Sequence, residues 1–348
     1  MKAATTLERE ETHAVLTQAL REVHGTDAHL EAWTSDAQFT EHGKKRVVRY
    51  DLEVRMAGLP QPQCYSWVGK YYEDEEKALL VASVLRIIGG SDAARAAGLV
   101  VPTVLPYHPP SHLLFLTYES GESVATAISR ETGTILATMG RALAALHGMR
   151  ITPPTTTSPE TVLVDLRPKV EELSSWLPGE GSRLRRAFAQ LEDQTPRPAS
   201  PTSFVHNDFG PANLLWRAGE LVVLDFDRCT RGDPALDLGN FLVQLRRSSI
   251  RHPERLIDFA LARRALLEEY GRWCSSDPSL EDRVAWYERA IVLRKIHRLW
   301  NETKNPGPED DARQIPVRQR LLSVFLEDSG KQGENHLGSE SVGGRAAR

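Results

Sequence analysis

VHNDFGPAN, running from Val205 to Asn213, and LDFD, from Leu224 to Asp227, are the two stretches on which the reading of this chain turns. A short strand delivers His206 and Asp208 into a tight loop, the Gly210-Pro211 pair redirects the backbone, and Asn213 opens the next strand. A further strand then presents Asp225 at its end. Phosphoryl transfer asks for this inventory. It needs little covalent chemistry from a protein, but it needs positioning, a divalent cation to offset phosphate charge, and a carboxylate to take the nucleophile's proton. Magnesium is a hard cation that completes its shell with phosphate and water, so one amide oxygen and one carboxylate suffice, and Asn213 and Asp225 are the candidate ligands. Asp208, five residues before Asn213, is left to orient and activate a substrate hydroxyl or amine. His206 reads as a structural hydrogen-bonding residue, and Asp227 stands open between a second metal contact and a solvated carboxylate.

Working outward, the flanks have different characters. Before the motif, apolar spacing predicts helices over Thr134–Met149, Val162–Leu173 and Gly181–Leu191; after it, over Pro253–Cys274 and Leu280–Asn301. The N-terminal third is richer in strands. A helix over Glu11–Val23 precedes strict alternation from Val48 to Met56, which predicts a half-buried antiparallel strand. The aromatic run Gln63–Tyr72 forms its hairpin partner. Acids from Glu73 to Glu76 open a helix that Gly89-Gly90 closes, as the helix dipole and a glycine cap favour. Strands at Val100–Leu105 and Leu113–Tyr118 follow. The expected organisation is an N-terminal lobe over residues 1–118, a hinge at 119–123, a mainly helical lobe over 124–328 and a disordered tail at 329–348.

The His-x-Asp-x-x-x-x-Asn loop, the Leu-Asp-Phe-Asp strand end, and Gly232-Asp233-Pro234-Ala235-Leu236-Asp237-Leu238-Gly239 resemble the aminoglycoside phosphotransferase and choline kinase-like family of small-molecule kinases. Leu143 to His147 adds the Leu-His helix end, and the likeness covers roughly Arg46 to Phe241. Protein kinases differ, with Arg and Gly where this chain has Asn207 and Asp227. The resemblance implies an α+β, protein-kinase-like two-lobed fold, with an antiparallel β-sheet N-lobe and a mainly α-helical C-lobe. It implies Asp208 as catalytic base, Asn213 and Asp225 as magnesium ligands, and Asp237 as a buried anchor for the catalytic loop. In the first lobe Val68 would roof the adenine and Lys70 would meet the α- and β-phosphates, with Glu76 as its helical partner. Backbone atoms of Thr117, Tyr118 and Glu119 would meet the purine edge. Only Gly43 is available for a phosphate loop before Val48, so the cofactor is ATP with GTP left open. The implied reaction moves the γ-phosphate to a hydroxyl of an aminoglycoside, amino alcohol, sugar or similar metabolite. The alternative, a catalytically inactive nucleotide-binding regulatory module, is opposed by the retention of Lys70, Asp208, Asn213 and Asp225 together.

Composition bounds the remaining classes. The 348 residues carry 41% hydrophobic and 26% charged side chains, an ordinary globular balance. A net charge of -4 lacks the basic footprint of a nucleic-acid binder. No apolar run reaches the length of a bilayer span and the N-terminus lacks a secretory core, so a cytoplasmic protein without membrane partner is expected. Cys64, Cys229 and Cys274 form no C-x-x-C pair and read as buried small hydrophobes. Trp216, Trp273, Trp286 and Trp300 read as packing residues, and Asp233 as a turn and cap. The helices after Phe241 are expected to form the acceptor pocket. There Asp258, Glu268, Glu269 and Glu288 alternate with arginines, which leaves the charge of the acceptor open. No feature of the sequence fixes an oligomeric state.

Overall fold

A computed structural model describes residues 8–41, 44–197, 202–255, 257–302 and 315–327. Gly43 and the expected disordered tail lie outside the described residues. The chain divides into two compact units, one of residues 1–122 with 215–227, the other of residues 123–214 with 228–348.

The first unit opens with helix α1 (Arg9–His24), followed by strands β1 (His29–Glu41), β2 (Lys44–Arg55) and β3 (Gln63–Tyr71). Helices α2 (Glu75–Gly89) and α3 (Asp92–Ala96) come next, then β4 (Leu99–Val100), β5 (Val104–His108), β6 (Leu113–Thr117) and β7 (Glu122–Ser123). Five strands make an antiparallel sheet in the order β1-β2-β3-β6-β5. The alternation in β2 works as its pattern dictates: Val48, Tyr50, Leu52 and Val54 are buried with Leu16 and Leu20 of α1, Trp67 of β3 and Phe115 of β6. Each such side chain contributes about 1.5–3 kcal/mol on full burial. Strand β1 has no counterpart in the sequence reading. Its run HLEAWTSDAQFTE lacks clean alternation, and the pairing with β2 carries register shifts between Leu30 and Ala32 and between Ala37 and Phe39.

A second sheet, β4-β10-β9-β7, brings in β9 (Leu214–Arg217) and β10 (Glu220–Val223). Ala218 and Gly219, both at positive φ, form the turn between them, as the Ala-Gly step suggests. Strand β10 runs parallel to β4, with Leu221 beside Leu99 and Val222 beside Val100, which is why residues 215–227 cluster with the N-terminal unit although 92 residues of the other unit precede them.

The second unit is helical: α4 (Val124–Ala127), α5 (Thr132–His147), α6 (Pro159–Trp176), α7 (Gly181–Asp193), α8 (Ala235–Arg251), α9 (Phe259–Trp273) and α10 (Leu280–Glu302). A short ribbon joins β8 (Ser203–Val205) to β11 (Thr230–Gly232). Helix α8 extends well past the Gly-Asp-Pro motif that begins it. Two glycines set close helix crossings here. A Cβ on Gly140 of α5 would lie 2.8 Å from the Tyr270 amide nitrogen of α9, and one on Gly239 of α8 would lie 3.1 Å from Tyr287 Cβ of α10. Asp233 does more than cap: it takes the Ala235 amide and forms a buried pair with Arg283, 2.7 Å from Nε. Two expectations of burial are overturned. Trp273, on the outer face of α9, is 60% exposed, its indole donating to Glu269, and Cys64 is exposed near the start of β3. Trp216 and Trp286 are buried. Among the described residues no helix is long and apolar enough to cross a membrane.

Candidate active site

In the first unit, β3 turns its odd-numbered side chains Trp67 and Gly69 to the core, which leaves Val68 and Lys70 together on the opposite face. The Lys70 ammonium lies 2.6 Å from Asp225 and 2.9 Å from Asp227. The Tyr72 hydroxyl donates to Asp227 at 2.7 Å. Burial pulls the Lys70 pKa down, but the two carboxylates outweigh it and hold the pKa above its ordinary value. Asp225 follows β10 at φ 63°, a left-handed conformation that Asp adopts more readily than most residues but still at a cost of order 1 kcal/mol. The expected Glu76 partner is corrected: Glu76 stands exposed in the first turn of α2, its amide capped by Asp74, and Lys70 pairs with the Asp225-Asp227 strand end instead. The expected purine edge is narrowed as well. The amides of Thr117 and Tyr118 already donate to the Thr103 and Ser66 carbonyls, while the Glu119 carboxylate is tied to Arg217 at 2.9 Å.

In the second unit, the β8–β11 ribbon holds the base of the VHNDFGPAN loop, with Val205 opposite Thr230. The fully buried Asp237 carboxylate then organises the loop. It accepts the amides of His206 at 2.7 Å and Asn207 at 2.8 Å, and a hydrogen bond from His147 Nε2 at 3.2 Å. Nδ1 of His147 meets the Tyr270 hydroxyl at 3.0 Å. Burial pushes the Tyr270 phenol far above its usual range, so the hydroxyl keeps its proton. Asn207 pays for the turn with a left-handed backbone, φ 61°. His206 is fully buried and its Nδ1 accepts the Asp208 amide at 3.2 Å, the structural task expected of it.

Beyond this scaffold, the Asp208 carboxylate is partly exposed and accepts no hydrogen bond from the described residues. The Asn213 side-chain nitrogen donates to the Asp208 carbonyl at 3.0 Å, which leaves its oxygen available to a cation. Among the described residues no three His, Cys, Asp or Glu side chains converge to hold a metal on protein donors alone. A single amide oxygen and a carboxylate fit a hard cation that arrives with phosphate and water ligands.

A model of the phosphotransferase enzyme family matches residues 54–287, more than half of the chain. The chain belongs to that family. This phosphotransferase is a kinase-type enzyme with the protein-kinase-like fold, and solved structures agree on the architecture. A choline/ethanolamine kinase family protein from Mesorhizobium loti is 17% identical, with 91% of this chain and 98% of that one covered and a TM-score of 0.56. The ADP-bound aminoglycoside phosphotransferase APH(2'')-Ib is 14% identical, with 92% and 99% covered and a TM-score of 0.57. The macrolide 2'-phosphotransferase MphH from Brachybacterium faecium is 16% identical, with 89% and 98% covered and a TM-score of 0.54. At these identities the likeness carries the fold. No curated protein sequence matches the chain.

The phosphotransferase also carries a group that the sequence reading missed. Lys295 of α10 is half-buried in the field of Asp208, Arg298, Arg247 and Arg228. Burial, followed by the arginines and against Asp208, pulls its pKa down to about 8. Nothing in the sequence separates this lysine from its neighbours on an amphipathic helix.

Proposed function

We propose that this enzyme transfers the γ-phosphate of ATP to a hydroxyl of a small polar molecule, with magnesium as cofactor and Asp208 as base. The observation that carries the reading is the uncommitted Asp208 carboxylate, presented by a loop whose backbone is fixed by the buried Asp237. An acceptor hydroxyl donates to Asp208, which orients the oxygen and receives the proton as the new O–P bond forms and the bond from Pγ to the departing ADP oxygen breaks. Lys70 neutralises the α- and β-phosphates, Val68 covers the adenine, and the backbone at Glu119, with the carbonyls of Thr117 and Tyr118, meets the purine edge. Asn213 and Asp225 would hold magnesium, which would offset the charge of the transferring phosphoryl group. Asp227 shares Lys70 with Asp225 and so acts on the same charge balance. A cytoplasmic enzyme working on free metabolites fits this chemistry.

The test is ATP turnover with magnesium across aminoglycosides, amino alcohols, sugars and hydroxy acids, with Asp208→Asn as control. The variant is expected to lose about 10²–10⁴-fold in kcat, the usual worth of a positioned base, while its unfolding temperature is unchanged. Turnover retained in the variant sinks the assignment of Asp208.

A further inference from the structure

Helices α8 and α10 cross closely at Gly239, and beyond that crossing they carry cations at helical spacing: Arg247 and Arg251 on α8, Lys295 and Arg298 on α10. On α9 and elsewhere on α10, Arg263, Arg283 and Arg294 pair with carboxylates. Of the four beyond the crossing, Arg298 does the same, with Glu302 at 2.6 Å. Among the described residues Lys295, Arg247 and Arg251 take part in no hydrogen bond or ion pair, and Arg247 Nε is buried with no partner at all. Arg228, Arg247 and Arg298 all act on Lys295, where Asp208 is the carboxylate that opposes them, while Glu302 pairs with Arg298 and acts on Arg247. A half-buried guanidinium and ammonium left in mutual repulsion lower stability unless a ligand completes them.

Three of the four acids that would serve a cationic acceptor meanwhile have partners. Asp258 caps α9 through the Leu261 amide, Glu269 holds Arg272 and the Trp273 indole, and Glu288 holds Arg263 at 3.0 Å. The mixture of charges that the sequence leaves undecided is thus partly sorted by the fold: Asp258, Glu269 and Glu288 have structural partners, Glu268 lies 4.0 Å from Arg264, and the unpaired charge beside the base is positive.

We propose that the acceptor is an anion, a hydroxylated small molecule bearing a carboxylate or phosphate that Lys295 and Arg247 receive while its hydroxyl meets Asp208. This rests on the reading of Asp208 as the base. Guanidinium and ammonium groups are the natural receivers of both oxyanions, and a charge held in place before binding costs the ligand nothing to order.

Binding and turnover separate the two claims. With the nucleotide site filled by saturating magnesium and a non-hydrolysable ATP analogue, calorimetry compares D-glycerate with glycerol and glucose 6-phosphate with glucose. The glycerate and sugar-phosphate arms tell carboxylate from phosphate. One of the anions is expected to bind at least tenfold tighter than its neutral counterpart, and Lys295→Met and Arg247→Met to abolish that preference while folding normally. Equal binding of each anion and its neutral counterpart, or a preference unchanged in both variants, overturns the proposal. Turnover on choline or kanamycin with none on the anions overturns it too and leaves the kinase reading standing. Anion preference lost in the variants, with no turnover on any acceptor, supports the cationic site and counts against the kinase reading instead.

Discussion

Two lysines, one in each unit, sit in opposite surroundings. Lys70 lies between two carboxylates of its own chain, which, against burial, hold its pKa above the ordinary lysine value. Lys295 lies near Asp208 and among arginines, and burial first, then the arginines, pull its pKa down to about 8. Around Lys70 the protein supplies its own counter-charge; around Lys295 no carboxylate is within ion-pair distance among the described residues. The second unit is able to compensate buried charge, since Asp237 is 0% exposed yet satisfied by two amides and a histidine. Lys295 has been left without such partners, and the difference marks it as a group waiting for something the chain does not supply.

The most damaging way to break this comparison is to make Asp237 resemble Lys295's neighbourhood. Asp237→Ala leaves the His206 and Asn207 amides and His147 buried without an acceptor, and is expected to cost about 3–5 kcal/mol in denaturant unfolding, with loss of turnover. A cost under about 1 kcal/mol would show that the loop does not depend on the carboxylate. Lys70→Met comes next: kcat/KM for ATP should fall about 100-fold, as expected for loss of one partner of a charge cluster. Stability should change little, because the side chains of Asp225 and Asp227 are 43% and 27% exposed and water screens them.

The smallest effect sharpens the comparison by pH. Lys295 has a folded pKa of about 8 against 10.5 unfolded, so its penalty is fully present below pH 8 and is relieved as pH rises towards 10.5. Lys295→Met should therefore stabilise the protein by about 1 kcal/mol at pH 7, the scale seen when a poorly compensated buried charge is replaced by an apolar side chain, and by almost nothing at pH 10. The acceptor KM should rise above pH 8 as Lys295 loses its proton, while the KM for ATP stays flat to pH 10 because Lys70 remains charged. A Lys295→Met gain that does not vary with pH would remove the distinction between the two lysines.

The loop from Val205 to Asn213 was readable in the sequence as a strand, a tight turn and a second strand because its geometry is local: Asp208, the Gly210-Pro211 turn and Asn213 fall within nine residues. The alternating β2 and the paired Val68 and Lys70 were readable for the same reason, since period two fixes a face. Strand β1 was not, because partner strand and bulges rather than its own pattern make it a strand. The choice of Glu76 failed because the partner of Lys70 is set by a strand end 155 residues away, a contact no spacing near Lys70 encodes. Lys295 and Arg247 were invisible for the converse reason. Unpaired cations are recognised by which carboxylates are absent around them, and that is known only after α8 and α10 have packed.

The parallel pairing of β4 with β10 has a consequence for how the protein is made. The first unit cannot close when residue 122 leaves the ribosome; it lacks the strand that carries Asp225 and Asp227 until 92 residues of the second unit have been translated. At about 5–20 residues per second that is a delay of roughly 5–20 s. During that interval β4 lacks its β10 partner and Lys70 lacks the carboxylates of Asp225 and Asp227, which the chain supplies only when synthesis passes residue 227.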